Sequence, residues 1–494
     1  MRNRSLYLLA LSATLSACAA GPNLLAIDHG TEQTRPQNLS ADLDAILTDP
    51  RLAGAEFALV VRDVDTGDVL YERNADLRLI PASTLKLLTS AAAFDILGPE
   101  HRFITDVSTD GNLRKSVLDG NIYLRGTGDP TISTEDYADL AAAIAAHGIR
   151  SVQGNLILDD TWFDTIQLGS GWAQDDEGFA FSAPISALTV SPDSNYGVAT
   201  VNILATPGAI VGEPITVTMM PPNGYITLLN HALTGEEDSF SVQREHGTNR
   251  LIIRGTLPIT AKPEIKRVSV WDSTRYVADI FERALRKQGV QVRGKLLFSI
   301  PTSVDAQVLA NHSSMTLSEM ALPLLKLSNN GLAEILTKTM GQKFAHAGTW
   351  PEGTAAIADF LRRNGIDDTA LRQVDGSGLS RYDLVTAKLL TDLLVTARGK
   401  SWFDIWYAAL PVAGNPDPLI GGTLSARMHG TLAQNNVHAK TGSMSSISGI
   451  SGYVNAADGR LLAFSILENN YRAPSVKPIE DKIVETLAAW HAKE

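Results

Sequence analysis

The sequence predicts an α/β domain that is divided into two parts by a long insertion. Residues 57–63 and 69–72 have the alternating pattern of a β-hairpin, and a helical pattern at 84–97 follows them. Helical character returns from about Ser314, and a second hairpin and a terminal helix come near the end of the chain. Between the two parts, residues 197–260 consist of short alternating segments typical of an all-β module. A connection this long is not a loop of a compact domain, so the insertion must form domains of its own.

Length and composition agree with this organisation. The chain has 494 residues, of which 44% are hydrophobic, and its formal net charge is −12. A chain of this length exceeds one hydrophobic core, so two or three domains are expected. The acidic balance, without a cluster of Lys and Arg, argues against a nucleic-acid partner. No His-Glu-x-x-His motif or paired Cys/His spacing suggests a metal, and we expect no cofactor.

The N-terminus has the pattern of an export signal. Two arginines precede an apolar stretch at residues 6–15, and a Leu-Ser-Ala-Cys string ending at Cys18 follows. Cys18 is the only cysteine and stands where a bacterial lipoprotein signal requires one, so we predict a signal at residues 1–17 and a lipid anchor on Cys18. The alternative is an ordinary secretory signal with an incidental cysteine. Residues 18–38 are polar and predict a tether.

Three short strings occur in one order along the chain: Ser83-Thr84-Leu85-Lys86, Ser328-Asn329-Asn330 and Lys440-Thr441-Gly442. They match Ser-x-x-Lys, Ser-x-Asn and Lys-Thr-Gly, the set typical of penicillin-interacting serine acyl-transfer enzymes. The first string lies at a predicted helix start, which places its serine and lysine on one face. The second lies within a predicted helix at 317–345 that Gly331 could interrupt, and the third lies in a predicted strand at 437–441.

These residue types suit nucleophilic catalysis. A serine hydroxyl needs a base, and Lys86 can serve if burial and the positive charge of Lys440 keep it deprotonated. Ser328 can relay a proton between the two lysines. The backbone N–H groups of Ser83 and Ser443 can form an oxyanion hole.

The other residues of the strings suit substrate binding. Gly442 allows the backbone of a substrate to approach the strand closely. Lys440 and the hydroxyls of Thr441 and Ser443 suit a terminal carboxylate, and the Asn330 amide suits a peptide bond. A helix cap, an exposed charge or a strand edge would explain each string singly, but the ordered combination favours an active site.

With these strings the chain resembles the class C low-molecular-mass penicillin-binding proteins of the penicillin-binding protein 4 type, a D-alanyl-D-alanine carboxypeptidase/endopeptidase family, over residues 40–490. Four further strings carry the resemblance: Gly128-Asp129-Pro130, Phe181-Ser182-Ala183-Pro184, Asp375-Gly376-Ser377-Gly378-Leu379-Ser380-Arg381 and Ala439-Lys440-Thr441-Gly442-Ser443. The resemblance implies a penicillin-binding/β-lactamase-like transpeptidase domain, an antiparallel sheet flanked by helices, with two nested, β-rich inserted domains. The implied boundaries are 39–98 and 310–494 for catalytic domain I, 99–190 and 261–309 for domain II, and 191–260 for domain III.

The resemblance also implies roles for single residues. Acylation would pass through Ser83, with Lys86 as base and Ser328 assisting. An Asp and an Arg of the family grip the zwitterionic end of diaminopimelate in the stem peptide, and they match Asp176 and Arg381 here. The neighbouring Asp175 leaves the register of the Asp open by one.

The partners implied are peptidoglycan peptides of the diaminopimelate type, β-lactams as inhibitors, and a membrane reached through the lipid anchor. Because Ala19 follows Cys18 in place of Asp, similarity to Gram-negative lipoproteins implies the outer membrane, on the periplasmic side of the envelope. Many members of the family are soluble in the periplasm, so an anchor departs from the family pattern. Asn329 also departs from it, since Asp is frequent at that position.

Two other functions stay open. A class A β-lactamase carries Glu-x-x-Leu-Asn, but the Leu229-Asn230 pair has Ile226 at the Glu position. A class C β-lactamase carries Tyr-x-Asn before Lys-Thr-Gly, whereas Tyr453-Val454-Asn455 follows it. A non-catalytic lipoprotein that only binds cell wall would not need the complete Ser, Lys, Ser, Lys set. The sequence therefore favours a serine D-alanyl-D-alanine carboxypeptidase, a D,D-endopeptidase, or both.

Overall fold

The structure, a computed structural model, describes residues 38–492. The predicted signal at residues 1–17, the predicted lipidation site Cys18 and nearly all of the predicted tether lie outside the described residues. Within 38–492, no helix has the length and apolar character needed to cross a membrane.

The first part of the chain forms a hairpin and two helices. Its elements are α1 (Leu39–Ile46), β1 (Glu56–Asp63), β2 (Val69–Arg73) and α2 (Lys86–Ile96). The sequence predicted that the second helix begins at Thr84. A 3₁₀ turn over Ala82–Leu85 instead precedes α2, so Ser83 lies in this turn and the α-helix begins at Lys86.

The next part is a mixed region with short strands. Its elements are β3 (Ile104–Thr109), β4 (Asn112–Arg114), β5 (Val117–Asp119), β6 (Ile122–Gly126), α3 (Thr134–Ala146), β7 (Ser151–Val152) and β8 (Leu156–Asp159). The start of α3 is a capping box, because the Ser133 hydroxyl accepts from the Asp136 N–H and the Asp136 carboxylate accepts from the Ser133 N–H.

An all-β module follows, as predicted. Its strands are β9 (Thr200–Thr206), β10 (Thr216–Met220), β11 (Thr227–Asn230), β12 (Leu233–Gly235), β13 (Ser241–Arg244), β14 (Arg250–Arg254), β15 (Thr256–Pro258) and β16 (Glu264–Ser269). β9 pairs with β10 on one side and with β16 on the other, both antiparallel. The sheet therefore continues to Ser269, past residue 260 where the sequence predicted the end of the module.

The chain then returns to the mixed region through α4 (Ser273–Lys287), β17 (Gln291–Val292), β18 (Leu296–Phe298) and β19 (Gln307–Ser313). β17 and β18 pair in parallel with β7 and β8, and β19 pairs antiparallel with β3. Strands from before and after the module thus share two sheets, in the orders β17-β7-β5-β4 and β18-β8-β6-β3-β19. The β-module is therefore inserted in this mixed region, and the mixed region is itself inserted between the first and last parts of the chain.

The last part is mainly helical and ends in a hairpin and a helix. Its elements are α5 (Leu317–Lys326), α6 (Asn330–Ala345), α7 (Trp350–Arg363), α8 (Ala387–Ala397), α9 (Phe403–Ala408), β20 (His438–Met444), β21 (Ile447–Asn455), β22 (Leu461–Asn469) and α10 (Lys477–Ala489). The predicted helix at 317–345 is broken at Ser328, whose φ is 57°, and not at Gly331. The break falls there because the Asn329 side chain caps α6 by accepting from the Leu332 N–H.

One antiparallel sheet, in the order β2-β1-β22-β21-β20, joins the two ends of the chain. Successive residues of β1 serve opposite faces, as expected for a strand. Val60 packs in the core that includes Leu87 of α2, whereas Val61 packs in the core that includes Ile483 of α10. The sheet is therefore covered by helices on both faces, and β20 forms one of its two edges, with β2 at the other.

Candidate active site

Ser83 is held where a turn and an edge strand meet. The preceding Ala82 has a left-handed backbone, with φ of 47°, a conformation that non-glycine residues rarely adopt. β20 passes close beside this turn. A Cβ atom on Gly442 would lie 2.6 Å from the Pro81 carbonyl oxygen and 3.2 Å from the Ser83 nitrogen. Only glycine lets the strand approach the turn this closely.

Lys86 is fully buried directly behind Ser83. Its ammonium nitrogen has three acceptors: Ser83 Oγ at 2.9 Å, Asn330 Oδ1 at 2.7 Å and the Ser377 carbonyl oxygen at 2.9 Å. Burial lowers the pKa of Lys86 to about 7, although the charges of Glu334 and Asp375 act to raise it. A substantial fraction of this amine is neutral near pH 7, and the neutral amine can accept the Ser83 hydroxyl proton.

The second lysine stands beside the second serine. Lys440 is fully buried on β20, and its Nζ donates to Ser328 Oγ and to the Thr441 carbonyl oxygen, both at 2.8 Å. Burial, together with repulsion from Lys86, holds the pKa of Lys440 well below its ordinary value. Sequence reasoning attributed the low pKa of Lys86 partly to the charge of Lys440. In the structure burial alone lowers the pKa of Lys86, and the repulsion between the two amines lowers the pKa of Lys440.

Asn330 connects Lys86 to a loop from the inserted region. Its Oδ1 accepts from Lys86, and its Nδ2 donates to the Phe181 carbonyl oxygen at 2.8 Å. The sequence predicted that this amide binds a substrate peptide bond. An NH₂ group carries two hydrogens, so one remains available to a ligand.

A cleft of about 370 Å³ opens in front of Ser83. Six predicted site residues line it: Ser83, Asp176, Ser328, Asn330, Arg381 and Ser443. Sequence reasoning gave no role to the other lining residues, which are Phe181, Gly378, Leu379, Met444 and Ser445. Thr441 is engaged with a neighbour, because its hydroxyl donates to Thr423 Oγ1 at 2.7 Å.

Asp176 and Arg381 bring opposite charges to this cleft. Asp176 lies in a 3₁₀ turn over Gln174–Asp176, while Asp175, the alternative in the predicted register, lines a different cleft. Within residues 38–492, neither Asp176 nor Arg381 forms a salt bridge. Both charges are thus free of protein partners in this part of the chain, on walls of the cavity that Ser83 faces.

Sequence reasoning missed the carboxylates that hold the loop at 374–381. Five backbone N–H groups of the loop donate to three buried carboxylates at 2.7–2.8 Å: Val374 to Asp383, Gly376 and Ser377 to Glu334, and Gly378 and Ser380 to Asp375. The Ser377 carbonyl is fixed toward Lys86 in this way. The Asp-Gly-Ser-Gly string signals such a loop, but nothing in the helical pattern around Glu334 marks that residue.

Two of these carboxylates, Glu334 and Asp383, lie in an environment that disfavours their charge. Burial raises the pKa of Glu334 to about 7, and repulsion from Asp375 adds to the effect. Burial and the same neighbour raise the pKa of Asp383 well above its ordinary range. Lys86 therefore lies close to two acids, Glu334 and Asp383, whose burial favours the protonated form.

Comparison with known proteins covers both the catalytic part and the insertions. The model of the D-Ala-D-Ala carboxypeptidase 3 (S13) family matches residues 39–490. A D-alanyl-D-alanine carboxypeptidase from Actinomadura sp. is 43% identical over 461 residues, which is 92% of this chain and 85% of that protein. A D-alanyl-D-alanine carboxypeptidase from Haemophilus influenzae is 28% identical over 435 residues, 86% of this chain and 88% of that protein.

Solved structures show the same fold. Penicillin binding protein 4 from Haemophilus influenzae matches with a TM-score of 0.78 at 25% identity, over 91% of this chain and 98% of that chain. The same protein complexed with a novel β-lactam matches with a TM-score of 0.72 at 24% identity and the same coverage. These matches confirm the predicted fold class.

Proposed function

The chain belongs to the D-Ala-D-Ala carboxypeptidase 3 (S13) family, and we propose that Ser83 is the nucleophile with which this serine-type carboxypeptidase cleaves its peptides and binds penicillins. One observation carries the assignment: a fully buried amine, Lys86 Nζ, lies 2.9 Å from Ser83 Oγ. Burial lowers its pKa to about 7, which is what a general base at neutral pH needs.

The arrangement supplies each step of acyl transfer. Lys86 accepts the hydroxyl proton while Ser83 Oγ attacks the carbonyl carbon of the penultimate D-Ala. The N–H groups of Ser83 and Ser443 stabilise the oxyanion. When the amide C–N bond breaks, the proton that Lys86 accepted passes to the leaving amine, with Ser328 and Lys440 assisting the transfer. Water then attacks the ester of Ser83 and gives up a proton to Lys86, which returns it to Ser83 Oγ as the product carboxylate leaves.

The carboxylate of the terminal D-Ala is bound at β20. The hydroxyls of Thr441 and Ser443 donate to it, and Lys440 supplies positive charge. The low pKa of Lys440 belongs to the enzyme without substrate, because a carboxylate placed beside an amine favours its ammonium form.

The stem peptide is recognised by its diaminopimelyl side chain, whose ammonium pairs with Asp176 and whose carboxylate pairs with Arg381. This assignment is supported by two unpaired opposite charges in the cleft that Ser83 faces. Charge-assisted hydrogen bonds of this kind are stronger than neutral ones. The same site acts as an endopeptidase, since a cross-link presents the same D-Ala carbonyl with a different leaving amine.

The test is cleavage of two substrates by purified protein. We expect the wild type to release D-Ala from a stem pentapeptide, to split a cross-linked muropeptide dimer, and to be labelled covalently by a fluorescent penicillin. Ser83→Ala should lose all three, while Ser401→Ala, an exposed serine elsewhere, should keep them. Covalent labelling of Ser83→Ala would overturn the nucleophile, and an intact dimer beside a cleaved pentapeptide would overturn the endopeptidase alone.

We further propose that the enzyme acts on the periplasmic side of the envelope, held through lipid on Cys18 at the outer membrane. The support is the N-terminal sequence pattern, with Cys18 after a short apolar stretch and Ala19 behind it.

A further inference from the structure

We infer that Glu177 and Arg244 are positioning residues for substrate selection, through which the inserted β-module sets the place of Asp176. The inference rests on the proposed function, in which Asp176 binds the diaminopimelyl ammonium. It gives the β-module a part in choosing the substrate, although its strands lie outside the cleft of Ser83.

The loop at 174–182 lies between the active-site cleft and the β-module. On one side, Asp176 and Phe181 line the cleft of Ser83. On the other side, Glu177 is buried, with 8% of its surface exposed, and its carboxylate and its carbonyl oxygen accept hydrogen bonds only from residues of the module. Neighbouring residues of one short loop thus serve two different parts of the molecule.

The carboxylate of Glu177 is held at both oxygens. Arg244 Nη2 donates to Oε1 at 2.8 Å and to the Glu177 carbonyl oxygen at 2.9 Å. His246 Nδ1 lies 2.7 Å from Oε2. Arg244 is itself fixed, since its side chain is only 2% exposed, donates to the Thr248 carbonyl oxygen and lies over the Trp271 ring at 5.2 Å.

The backbone of the loop is fixed to the module as well. On β16, the Ser269 hydroxyl donates to the Glu177 carbonyl oxygen, and the Ser269 N–H donates to the Gly178 carbonyl oxygen at 3.2 Å. Phe179 then forms a β-bridge with Val268. Three consecutive residues after Asp176 are therefore tied to strands of the module.

Asp176 depends on these neighbours for its position. It ends the 3₁₀ turn in which the Glu177 N–H donates to the Gln174 carbonyl oxygen at 3.2 Å. A buried ion pair contributes little net stability compared with an apolar pair of the same size, but its geometry is directional. Rotation of Glu177 would displace the adjacent carboxylate of Asp176 within the cleft that Arg381 also lines, and a displacement of about 1 Å is enough to lower a rate strongly.

The other end of the loop has its own anchor near the chemistry. The Phe181 carbonyl oxygen accepts from Asn330, the residue that also accepts from Lys86. This anchor does not involve Glu177 or Arg244. Loss of the Glu177–Arg244 pair should therefore disturb side-chain selection while acylation of Ser83 continues.

The experiment compares three ligands in the full-length protein: a D-Ala-D-Ala peptide with a free diaminopimelyl end, the same peptide with alanine in place of diaminopimelate, and a simple penicillin. Glu177→Gln and Arg244→Met should each lower kcat/KM for the first peptide by about tenfold. Both substitutions should change kcat/KM for the alanine peptide and the rate of acylation by penicillin by less than about twofold. Arg267→Met is the matched control, because Arg267 lies on β16 beside the same loop but its guanidinium hydrogen-bonds to Asp193 and Asn202 and to no residue at 174–182.

A background of Asp176→Ala separates the possible failures. If Asp176→Ala abolishes discrimination between the two peptides and the Glu177 or Arg244 variant then adds nothing, the inference holds. If Asp176→Ala abolishes discrimination but Glu177→Gln and Arg244→Met keep it, only the inference is overturned. If Asp176→Ala keeps discrimination, the proposed subsite and the inference both fall, while Ser83 as nucleophile stands. Equal losses of rate on all three ligands would show a merely structural role and would overturn the inference. A melting curve identifies a variant that does not fold, and the result for the remaining variant of Glu177 or Arg244 then decides.

Discussion

At the residue scale, Lys86 and Lys440 lie among the largest fully buried side chains in the described chain. A buried ammonium is costly without a carboxylate, and neither lysine hydrogen-bonds to one. Their acceptors are hydroxyl, amide and carbonyl oxygens, which tolerate a neutral amine. Under the proposed mechanism, burial of these amines costs folding stability and in return gives Lys86 a pKa of about 7, suited to a general base.

The pH dependence of acylation follows from this arrangement. Only neutral Lys86 accepts a proton, and burial lowers its pKa to about 7, so the rate should rise as pH increases through that value. Acylation by a fluorescent penicillin, followed by stopped flow from about pH 5 to about pH 9, measures it. A rate that stays constant between about pH 6 and about pH 8 would mean that another group is the base.

Arg381 makes a prediction about selectivity. Arg381→Ala should lower kcat/KM about tenfold or more for a peptide with a free diaminopimelyl end, since about 1.4 kcal/mol corresponds to one decade. Acylation by a penicillin without that side chain should barely change. Arg363→Ala, on the surface of α7 and paired with Asp359, is the control and should alter neither rate. Equal losses for both ligands would place the diaminopimelate pocket elsewhere.

At the scale of elements, the loop at 374–381 shows where sequence reasoning stops. Its Asp-Gly-Ser-Gly string and Arg381 are visible in the sequence, and the structure places both at the site. Glu334, which accepts two of the loop's N–H groups, lies 40 residues earlier in an ordinary helical pattern. No periodicity in the sequence predicts a contact between residues so far apart. The helix break at Ser328 was not predicted either, because a serine with a left-handed backbone conformation leaves no mark in the sequence pattern.

A substitution at Gly378 tests whether this loop fixes the 3₁₀ turn that holds Ser83. Its φ is +79°, and an added Cβ would lie 1.9 Å from the Ala82 carbonyl oxygen. Gly378→Ala should displace the turn of Ser83 and lower the rate of penicillin acylation by about 100-fold or more. Gly365→Ala is the control, because its φ is +70° but nothing lies within 4 Å. Gly365→Ala should lower the stability by about 1 kcal/mol and leave the acylation rate unchanged. If Gly378→Ala and Gly365→Ala changed the acylation rate to a similar extent, the close packing of Gly378 against the turn would be refuted.

The contact between β22 and α10 predicts a pH effect on stability that is separate from catalysis. Burial and the nearby Glu480 raise the pKa of Glu468 well above its ordinary value of 4.5. The folded state then binds the proton more tightly than the unfolded state, so stability falls as pH rises above about 4.5. Glu468→Gln stays neutral, so its melting temperature should decline less from about pH 5 to about pH 8 than that of the wild type. The exposed Glu236→Gln should follow the wild type, and identical slopes for all three proteins would exclude this role for Glu468.

At the scale of the whole molecule, the two ends of the chain build one sheet. β1, from the first part, pairs along its full length with β22, from the last part. The sequence predicted this division because the motif residues must meet although 245 positions separate Ser83 from Ser328. It did not predict that the β-module holds the loop at 174–182. Glu177 and Arg244 lie 67 residues apart, and no sequence pattern links them. Motif residues are predictable from the sequence because their chemistry is specific, whereas the contacts that position them are set by tertiary packing.

The proposed anchor is a prediction about where this molecule works. α1, the first described helix, packs with α10 on the face of the sheet opposite α2. Cys18→Ala should abolish labelling by a palmitate analogue and leave an unprocessed precursor in the inner membrane, while covalent labelling by penicillin persists because Ser83 is untouched. Ser83→Ala should show the reverse, with palmitate label and no penicillin label. Absence of palmitate label on the wild type would exclude the lipid anchor and leave an ordinary secretory signal, and the assignment of Ser83 would not depend on that result.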